Sequence, residues 1–179
     1  MAEATGNAEA FEQRDAALDR IDQMSDDLLA VAREGRTVSE TKPVDVHSIA
    51  AEAWEPFCCA KDTLDRASER LTIEADEPRL RQLLENLMRN AAEHGPSPVT
   101  VTVGATDTGF YVADDGPGID GEHRDEVFEP GYTTATDGTG FGLSIVKRIA
   151  DAHGWETTVT ESDTGGARFE FTTETKTRV

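Results

Sequence analysis

Cysteine, lysine and long apolar runs are all scarce in this chain of 179 residues. The two cysteines, Cys58 and Cys59, are adjacent, so they give neither a disulfide framework nor the spacing of a metal site. No apolar run approaches the ~20 residues that a membrane-spanning helix needs. The first residues also lack the charged-then-apolar pattern of a signal peptide. We therefore expect a soluble, cytoplasmic chain.

Positive charge is scarce as well. The 36 acidic residues outnumber the 17 basic ones, which gives a net charge of -19, and the acids are spread along the whole chain. Such a spread is self-repelling in the compact state, but salt at molar concentration screens charge within ~3 Å. The composition therefore predicts adaptation to a salt-rich cytoplasm, as in a halophilic archaeon, with an ordinary acidic protein as the alternative. Binding to a nucleic-acid backbone is disfavoured.

The patterns along the chain predict a two-layer α/β fold preceded by a long helix. Apolar residues recur at helical spacing over residues 8–34, and Gly35 is a plausible C-cap. Asp45 is a suitable N-cap for a second helix. The remaining patterns predict a strand at 71–76, a helix at 77–93, strands at 99–105 and 109–114, a loop at 118–139, a helix at 140–154 and a closing hairpin at 156–174. Because the strands alternate apolar and polar residues, we expect helices to cover one face of the sheet.

Three glycines, Gly138, Gly140 and Gly142, lie where the polar loop becomes a helix. Free N–H groups at a helix start bind anions, and glycines allow phosphate oxygens to reach them. The G-x-G-x-G spacing differs from the Rossmann fingerprint, and no G-K-[ST] of a P-loop is present. The motif favours a phosphate site, and glycines with a purely structural role are the alternative.

Two further segments carry polar side chains suited to a nucleotide. Asn86 and Asn90 are four residues apart and therefore share one face of a helix, and amide oxygens suit Mg²⁺. Asp114 ends an apolar strand, where its carboxylate can accept a hydrogen bond from the amino group of adenine. Gly116 and Gly118 leave space for the flat base. The alternatives are solvent-facing asparagines and a simple turn in DDGPG.

The segments LENLMRNAAEHG, DDGPGI, FEPGYTT and GTGFGL, in this order and at this spacing, resemble the N, G1, F and G2 boxes of the GHKL ATP-binding superfamily. The form found here is similar to the catalytic domain of sensor histidine kinases, and the resemblance covers residues 43–173. It implies a Bergerat-type sandwich, in which a mixed sheet of about five strands is backed by three helices and a mobile lid lies over ATP.

The resemblance also implies a role for each box. Asn90 would hold Mg²⁺, Asn86 lies one turn earlier, and Asp114 would bind adenine. Phe128 and Pro130 match the F box. The residues that the resemblance implies for ATP binding are Asn86, Asn90, Asp114, Gly116, Gly118, Ile119, Phe128, Thr139, Gly140, Phe141, Gly142 and Leu143.

The position of Asn86 separates this chain from the hydrolytic members of the superfamily. Gyrase, mismatch-repair and chaperone relatives resemble one another in carrying a glutamate at that position, which activates water. Glu85 is adjacent, but one residue along a helix is a rotation of ~100°, so we expect it to face away. Because no base is placed for water, we expect hydrolysis to be slow and ATP to be kept for another acceptor.

The N-terminal helix resembles the second helix of the dimerisation and phosphoacceptor bundle of these kinases. We therefore predict three parts: bundle residues 1–36, a linker at 37–42 and an ATP-binding catalytic domain at 43–179. None of the four histidines lies in a pattern like the H-[ED]-x-[RK]-x-P of the first helix of that bundle. This favours a fragment whose phosphoacceptor helix is absent over a natural short protein that acts in trans.

The resemblance implies a kinase domain that transfers the γ-phosphate of ATP to a histidine on that absent helix. Its implied partners are ATP, Mg²⁺, the phosphoacceptor helix, a response regulator and a second copy joined through the bundle. The resemblance allows the complete kinase to be attached to a membrane. A nucleotide-responsive scaffold without phosphotransfer and an anti-sigma-type serine kinase are the alternatives.

The chain departs from the resemblance in its basic residues. Relatives often carry lysine or arginine three residues after the Mg²⁺ asparagine, where Glu93 stands here. Many also carry a basic residue at the end of the lid, whereas GYTTATDG has none. The sequence leaves open which of Arg89, Arg124, Lys147 and Arg148 meets the triphosphate.

Overall fold

The computed structural model describes residues 40–59, 61–67, 70–133 and 140–173. The predicted N-terminal helix, its Gly35 cap and most of the predicted linker lie outside the described residues. So do the predicted phosphate-site residues Gly138 and Thr139. Within the described ranges, no helix is long and apolar enough to cross a membrane.

The described residues form three helices, seven strands and two short 3₁₀ turns. The helices are α1 (Val46–Trp54), α2 (Glu77–His94) and α3 (Gly142–His153). The strands are β1 (Lys42–Asp45), β2 (Thr63–Arg66), β3 (Thr72–Ala75), β4 (Thr100–Ala105), β5 (Gly109–Asp114), β6 (Glu156–Glu161) and β7 (Ala167–Thr172). The 3₁₀ turns, Gly121–His123 and Glu126–Phe128, follow β5.

Five of the strands form one mixed sheet in the order β2-β4-β5-β7-β6. β2 runs parallel to β4, and the other neighbours are antiparallel. β1 and β3 pair with each other as a separate antiparallel ribbon. The expected fold class, a mixed sheet of about five strands with three helices, is confirmed.

Three strands differ from the sequence prediction in existence or in place. The strand predicted at 71–76 is present as β3 but lies in the ribbon, and β2 occupies an edge of the main sheet. The sequence patterns predict neither β1 nor β2. In β2 only Leu64 is partly buried, and in β1 only Val44 is buried. Neither strand therefore shows the alternation of apolar and polar residues that predicts a strand. Pro43 is tolerated because β1 is an edge strand.

Local capping explains where the helices begin and end. Asp45 is the N-cap of α1, and its carboxylate accepts a hydrogen bond from the N–H of His47 at 3.0 Å. Asp76 caps α2 in the same way and accepts from the N–H of Arg79 at 3.2 Å. Gly154 ends α3 in the left-handed region, with φ of 73°, as is usual for a C-cap glycine.

The hydrophobic core lies between the main sheet and the helices. Phe110 of β5 and Phe171 of β7 stack with 4.8 Å between ring centroids. Leu80, Leu83 and Leu84 of α2 are fully buried, and burying each such side chain stabilises the fold by ~1.5–3 kcal/mol. This packing fixes α2, and with it the two asparagines that α2 carries.

His153 ties the end of α3 to the start of α2. Its Nε2 accepts a hydrogen bond from the N–H of Asp76 at 3.0 Å, and its Nδ1 donates to the carbonyl of Ile149 at 2.7 Å. The ring stacks on Trp155 with 4.2 Å between centroids. A protonated imidazole has no acceptor, so this arrangement needs the neutral ring. Burial lowers the pKa of His153, against the opposing effect of the Ile149 carbonyl.

Candidate functional site

A cleft of about 310 Å³ lies between α2, the loop that follows β5 and the first turn of α3. Segments that are distant in sequence meet there. Eight of the predicted site residues line the cleft: Asn86, Asn90, Asp114, Gly118, Ile119, Gly140, Gly142 and Leu143. Gly116, Phe128 and Phe141 lie outside the lining, and Thr139 lies outside the described residues.

The two asparagines of α2 converge on the first residue of α3. A Cβ atom placed on Gly142 would lie 3.4 Å from Oδ1 of Asn86 and 3.4 Å from Oδ1 of Asn90. Asn86 is 3% exposed, and its Nδ2 donates to the carbonyl of Gln82 at 2.8 Å. Its Oδ1 has no hydrogen-bond partner within the described protein. Glu85 does not line the cleft, as the helical rotation predicts.

A buried acceptor without a donor costs about 1–3 kcal/mol. A hard cation that binds the Asn86 and Asn90 oxygens would remove that cost. The donor set therefore fits Mg²⁺, which binds one or two protein oxygens together with phosphate oxygens and water.

Asp114 lies at the other end of the cleft. Its Oδ1 accepts hydrogen bonds from the N–H of Gly116 at 2.9 Å and from the N–H of Ala167 at 3.1 Å. Burial raises the pKa of Asp114, and the two backbone N–H groups act in the opposite direction. The two bonds fix the orientation of the carboxylate, so that it faces the cleft.

The turn between β6 and β7 supports Asp114 from behind. Ser162 is buried, its Oγ donates to the backbone carbonyl of Asp114 at 2.8 Å, and the same Oγ accepts from the N–H of Gly166 at 2.9 Å. A Cβ atom on Gly166 would lie 2.1 Å from that carbonyl oxygen and 2.5 Å from Oδ1. Because a side chain at position 166 would clash with Asp114, only glycine there allows Asp114 to keep its observed position.

No pattern in the sequence predicts that the β6–β7 turn supports Asp114. The Gly165–Gly166 pair correctly indicates a turn, but not that the turn packs on Asp114 in another hairpin. The cleft also contains His94 and Phe169, which sequence reasoning missed. The alternating pattern of β7 was the available signal for Phe169.

The first turn of α3 forms an end of the cleft that is suited to phosphate, called the phosphate end below. Gly140 has φ of 71°, and a Cβ atom there would lie 2.6 Å from the backbone of Gly131. The Gly131 N–H donates to the Gly140 carbonyl at 3.0 Å. The first N–H groups of a helix have no partner within it. Those of Gly142 and Leu143, which line the cleft, are therefore suited to bind an anion.

Apolar side chains close the wall near Asp114. Val127 is buried and lines the cleft together with Phe169. Phe128 packs behind them, edge-on to Phe169 at 6.4 Å between centroids. A flat base placed against Asp114 would therefore contact apolar surface.

Residues 75–177 match the family described as "Histidine kinase-, DNA gyrase B-, and HSP90-like ATPase". This range contains every residue that lines the cleft. The chain belongs to this family.

Sensor histidine kinases are among the most similar proteins. ZraS of Escherichia coli O157:H7 is 30% identical over 159 residues, which cover 84% of this chain and 35% of ZraS. The structure of the mycobacterial sensor histidine kinase MprB is 25% identical with a TM-score of 0.64, and the match covers 73% of this chain and 95% of that one. Full-length ShkA in complex with AMPPNP is 36% identical with a TM-score of 0.64, over 81% of this chain and 34% of ShkA.

The chain spans about a third of the length of the curated relatives it matches. The part that is shared is the ATP-binding catalytic domain of a histidine kinase. Its mixed sheet with three helices is the Bergerat-type sandwich of such catalytic domains.

The cleft of the kinase domain contains little positive charge. Among the lysines and arginines that the structure describes, Arg89 is the one that lines it. Lys147 pairs with a carboxylate one turn along α3, Arg124 donates through Nε to a loop carbonyl at 3.2 Å, and Arg148 is exposed. Glu93 also lines the cleft, where relatives were expected to carry a basic residue.

Proposed function

We propose that the kinase domain binds ATP together with Mg²⁺ and transfers the γ-phosphate to a histidine outside this chain. The observation that carries this proposal is the buried Asn86 oxygen without a partner, which faces the first turn of α3 in the same cleft as Asp114. The cleft thus offers a cation site, an anion site and a base-binding carboxylate in one arrangement.

In this proposal each end of the cleft binds one end of ATP. Asp114 accepts a hydrogen bond from the adenine amino group, and the N–H groups at the start of α3 hold phosphate oxygens. Asn86 and Asn90 would hold Mg²⁺. When bound, the ion neutralises phosphate charge and favours attack on the γ-phosphorus.

The acceptor in this proposal is an imidazole. Asn86 cannot act as a base for water, and Glu85 is outside the cleft lining, so the bound γ-phosphate lacks a placed hydrolytic base. A histidine nitrogen supplied from outside attacks the γ-phosphorus, the bond to the bridging oxygen breaks, and ADP leaves. None of the four histidines of the chain lies in the phosphoacceptor pattern. His94 and His123 line the cleft, His47 is buried, and both ring nitrogens of His153 are engaged.

The wider organisation belongs to the same proposal. Residues 1–36 are the second helix of a dimerisation and phosphoacceptor bundle, residues 37–42 the linker, and residues 43–179 the catalytic domain. The bundle joins two copies of the kinase. The acceptor histidine lies on the first helix of that bundle and passes its phosphate to a response regulator. The net charge of -19 supports a salt-rich cytoplasm, as in a halophilic archaeon.

A transfer assay tests the proposal. The chain is mixed in molar KCl with labelled ATP, Mg²⁺ and a bundle fragment whose histidine lies in the H-[ED]-x-[RK]-x-P pattern. We expect label on the fragment, bound as an acid-labile, base-stable phosphoramidate. The same fragment with glutamine in place of that histidine is the control and should stay unlabelled.

Three other results would contradict the proposal in different ways. Label on this chain in the absence of the fragment would place the acceptor within it. Acid-stable label would indicate a serine kinase. Bound ATP without label on any fragment would indicate a nucleotide-responsive scaffold.

A further inference from the structure

The two ends of α2 serve different ends of the cleft. The end of α2 lies at the base end, because a Cβ atom on Gly116 would lie 3.4 Å from Cα of Gly95, the C-cap that follows His94, and 2.9 Å from Oδ1 of Asp114. Asn86 and Asn90 instead meet the start of α3 at the phosphate end. Arg89 lies five residues before His94, which is about 7.5 Å along the helix axis. It therefore belongs to the phosphate end.

Arg89 also projects from the side of α2 that faces the cleft. Residues three and four apart are neighbours on a helix surface, so Arg89 adjoins both Asn86 and Glu93. All three line the cleft. Along α2, Arg89 is therefore placed next to the asparagines that converge on Gly142.

The charge balance of the cleft calls for a cation there. Glu93, Asp114 and Asp120 line the cleft, and Arg89 is the lysine or arginine that does so among the described residues. Residues 134–139 of the lid contain no lysine or arginine in the sequence. A triphosphate carries several negative charges, and a planar guanidinium matches phosphate oxygens through two parallel hydrogen bonds.

Phe57 holds Arg89 in place. The guanidinium carbon of Arg89 lies 5.5 Å from the centre of the Phe57 ring, within range of a cation–π contact. Phe57 follows α1, packs against the core, and its N–H donates to the Trp54 carbonyl at 3.0 Å. The ring is therefore anchored, and it limits the conformations of a long, flexible side chain.

We propose that Arg89 contacts the terminal phosphate of ATP and that Phe57 positions it. This inference rests on the proposed function, since it names the residue that recognises the γ-phosphate in that site. Arg89 thereby supplies positive charge that no other lysine or arginine among the described residues brings to the cleft.

Nucleotide selectivity tests the role of Arg89. Calorimetry with Mg²⁺ compares ATP, ADP and AMP on the unmodified chain, Arg89→Gln, Arg89→Lys and the matched control Arg148→Gln, which makes the same charge change on an exposed part of α3. Arg89→Gln is expected to lower the affinity for ATP about tenfold or more. Its effect on the affinities for ADP and AMP should be far smaller. Arg89→Lys should retain part of the preference for ATP, and Arg148→Gln all of it.

The outcomes separate this inference from the proposed function. An unmodified chain that binds no nucleotide would overturn both. An unmodified chain that binds ATP, with Arg89→Gln equal to it or weakened equally for all three nucleotides, would overturn only the role of Arg89.

A second pair of variants tests Phe57 as a positioning residue. Phe57→Leu removes the π face and is expected to reduce the preference for ATP over ADP about threefold, whereas Phe57→Tyr keeps the face and should keep the preference. A merely structural role would lower the affinity for both nucleotides alike and leave their ratio unchanged. An unchanged ratio in Phe57→Leu would therefore overturn the role of Phe57.

Discussion

At the scale of single residues, we propose that base recognition depends on Asp114. We predict that Asp114→Asn makes the free energy of ATP binding less favourable by ~1.5–3 kcal/mol, the range for a hydrogen bond to a charged group. GTP presents a carbonyl where ATP presents an amino group and should bind poorly to the unmodified chain. Calorimetry with ATP and GTP measures both effects. Asp163→Asn, an exposed change in the β6–β7 turn, is the control, and equal affinity of the unmodified chain for ATP and GTP would disprove the assignment.

Gly166 has an equally local but purely steric role. Its replacement by alanine puts a methyl group 2.1 Å from the Asp114 carbonyl oxygen, so either the turn or the end of β5 must move. We expect Gly166→Ala to lower the free energy of unfolding by ~1–3 kcal/mol, as overpacking does, and to weaken ATP as well. Chemical denaturation and calorimetry check this.

Gly121→Ala is the matched control, because a Cβ atom at Gly121 would meet nothing within 4 Å. A Gly166→Ala variant that unfolds and binds ATP like the Gly121→Ala variant would show that the β6–β7 turn does not support Asp114.

At the scale of elements, the sequence predicts those parts that carry their own pattern. The helix at 77–93 and the strands at 99–105 and 109–114 appear within a residue or two of their predicted ends, because apolar periodicity and caps such as Asp76 are local. β2 depends on pairing with β4 and shows no alternation. The predicted site residues of α2, β5 and α3 meet in one cleft, but the support from Ser162 depends on tertiary packing between hairpins, which no local pattern reports.

The contact between α2 and α3 is predicted to weaken on acidification. Burial lowers the pKa of His153 below its ordinary value of 6.5, so the unfolded chain binds this proton more readily than the folded one. The stabilisation is complete above about pH 6.5 and is lost as the pH falls below it towards the folded pKa. Measuring the free energy of unfolding from about pH 8 to about pH 5 should show a steeper loss in the unmodified chain than in His153→Gln.

His123→Gln, an exposed change in the first 3₁₀ turn, is the control and should keep the steep loss. Parallel pH profiles for the unmodified chain and His153→Gln would mean that the link between His153 and Asp76 contributes nothing to this dependence.

At the scale of the whole molecule, the net charge of -19 predicts strong salt dependence. The screening length falls from ~10 Å at 0.1 M salt to ~3 Å at 1 M, so repulsion among the acids and between the chain and ATP should fall with it. We expect the unfolding midpoint and the ATP affinity both to rise as KCl is raised to molar concentration. Sucrose, which strengthens burial without screening charge, is the control, and an equal gain in sucrose would contradict the electrostatic explanation.

Because the β6–β7 hairpin supports Asp114, we expect nucleotide binding to require that the domain has folded completely. The segments carrying Asn86, Asp114 and Gly142 all precede β6, yet Asp114 depends on the last hairpin. Its carboxylate accepts from the N–H of Ala167, its backbone carbonyl accepts from Ser162, and Gly166 leaves it space. A partly folded domain therefore holds every recognition motif without a working base pocket. We expect ATP to bind only after the hairpin closes and therefore to stabilise the finished fold by mass action, by about 2.7 kcal/mol when its concentration is a hundred times Kd. The ATP concentration would then set how much of the domain is completely folded.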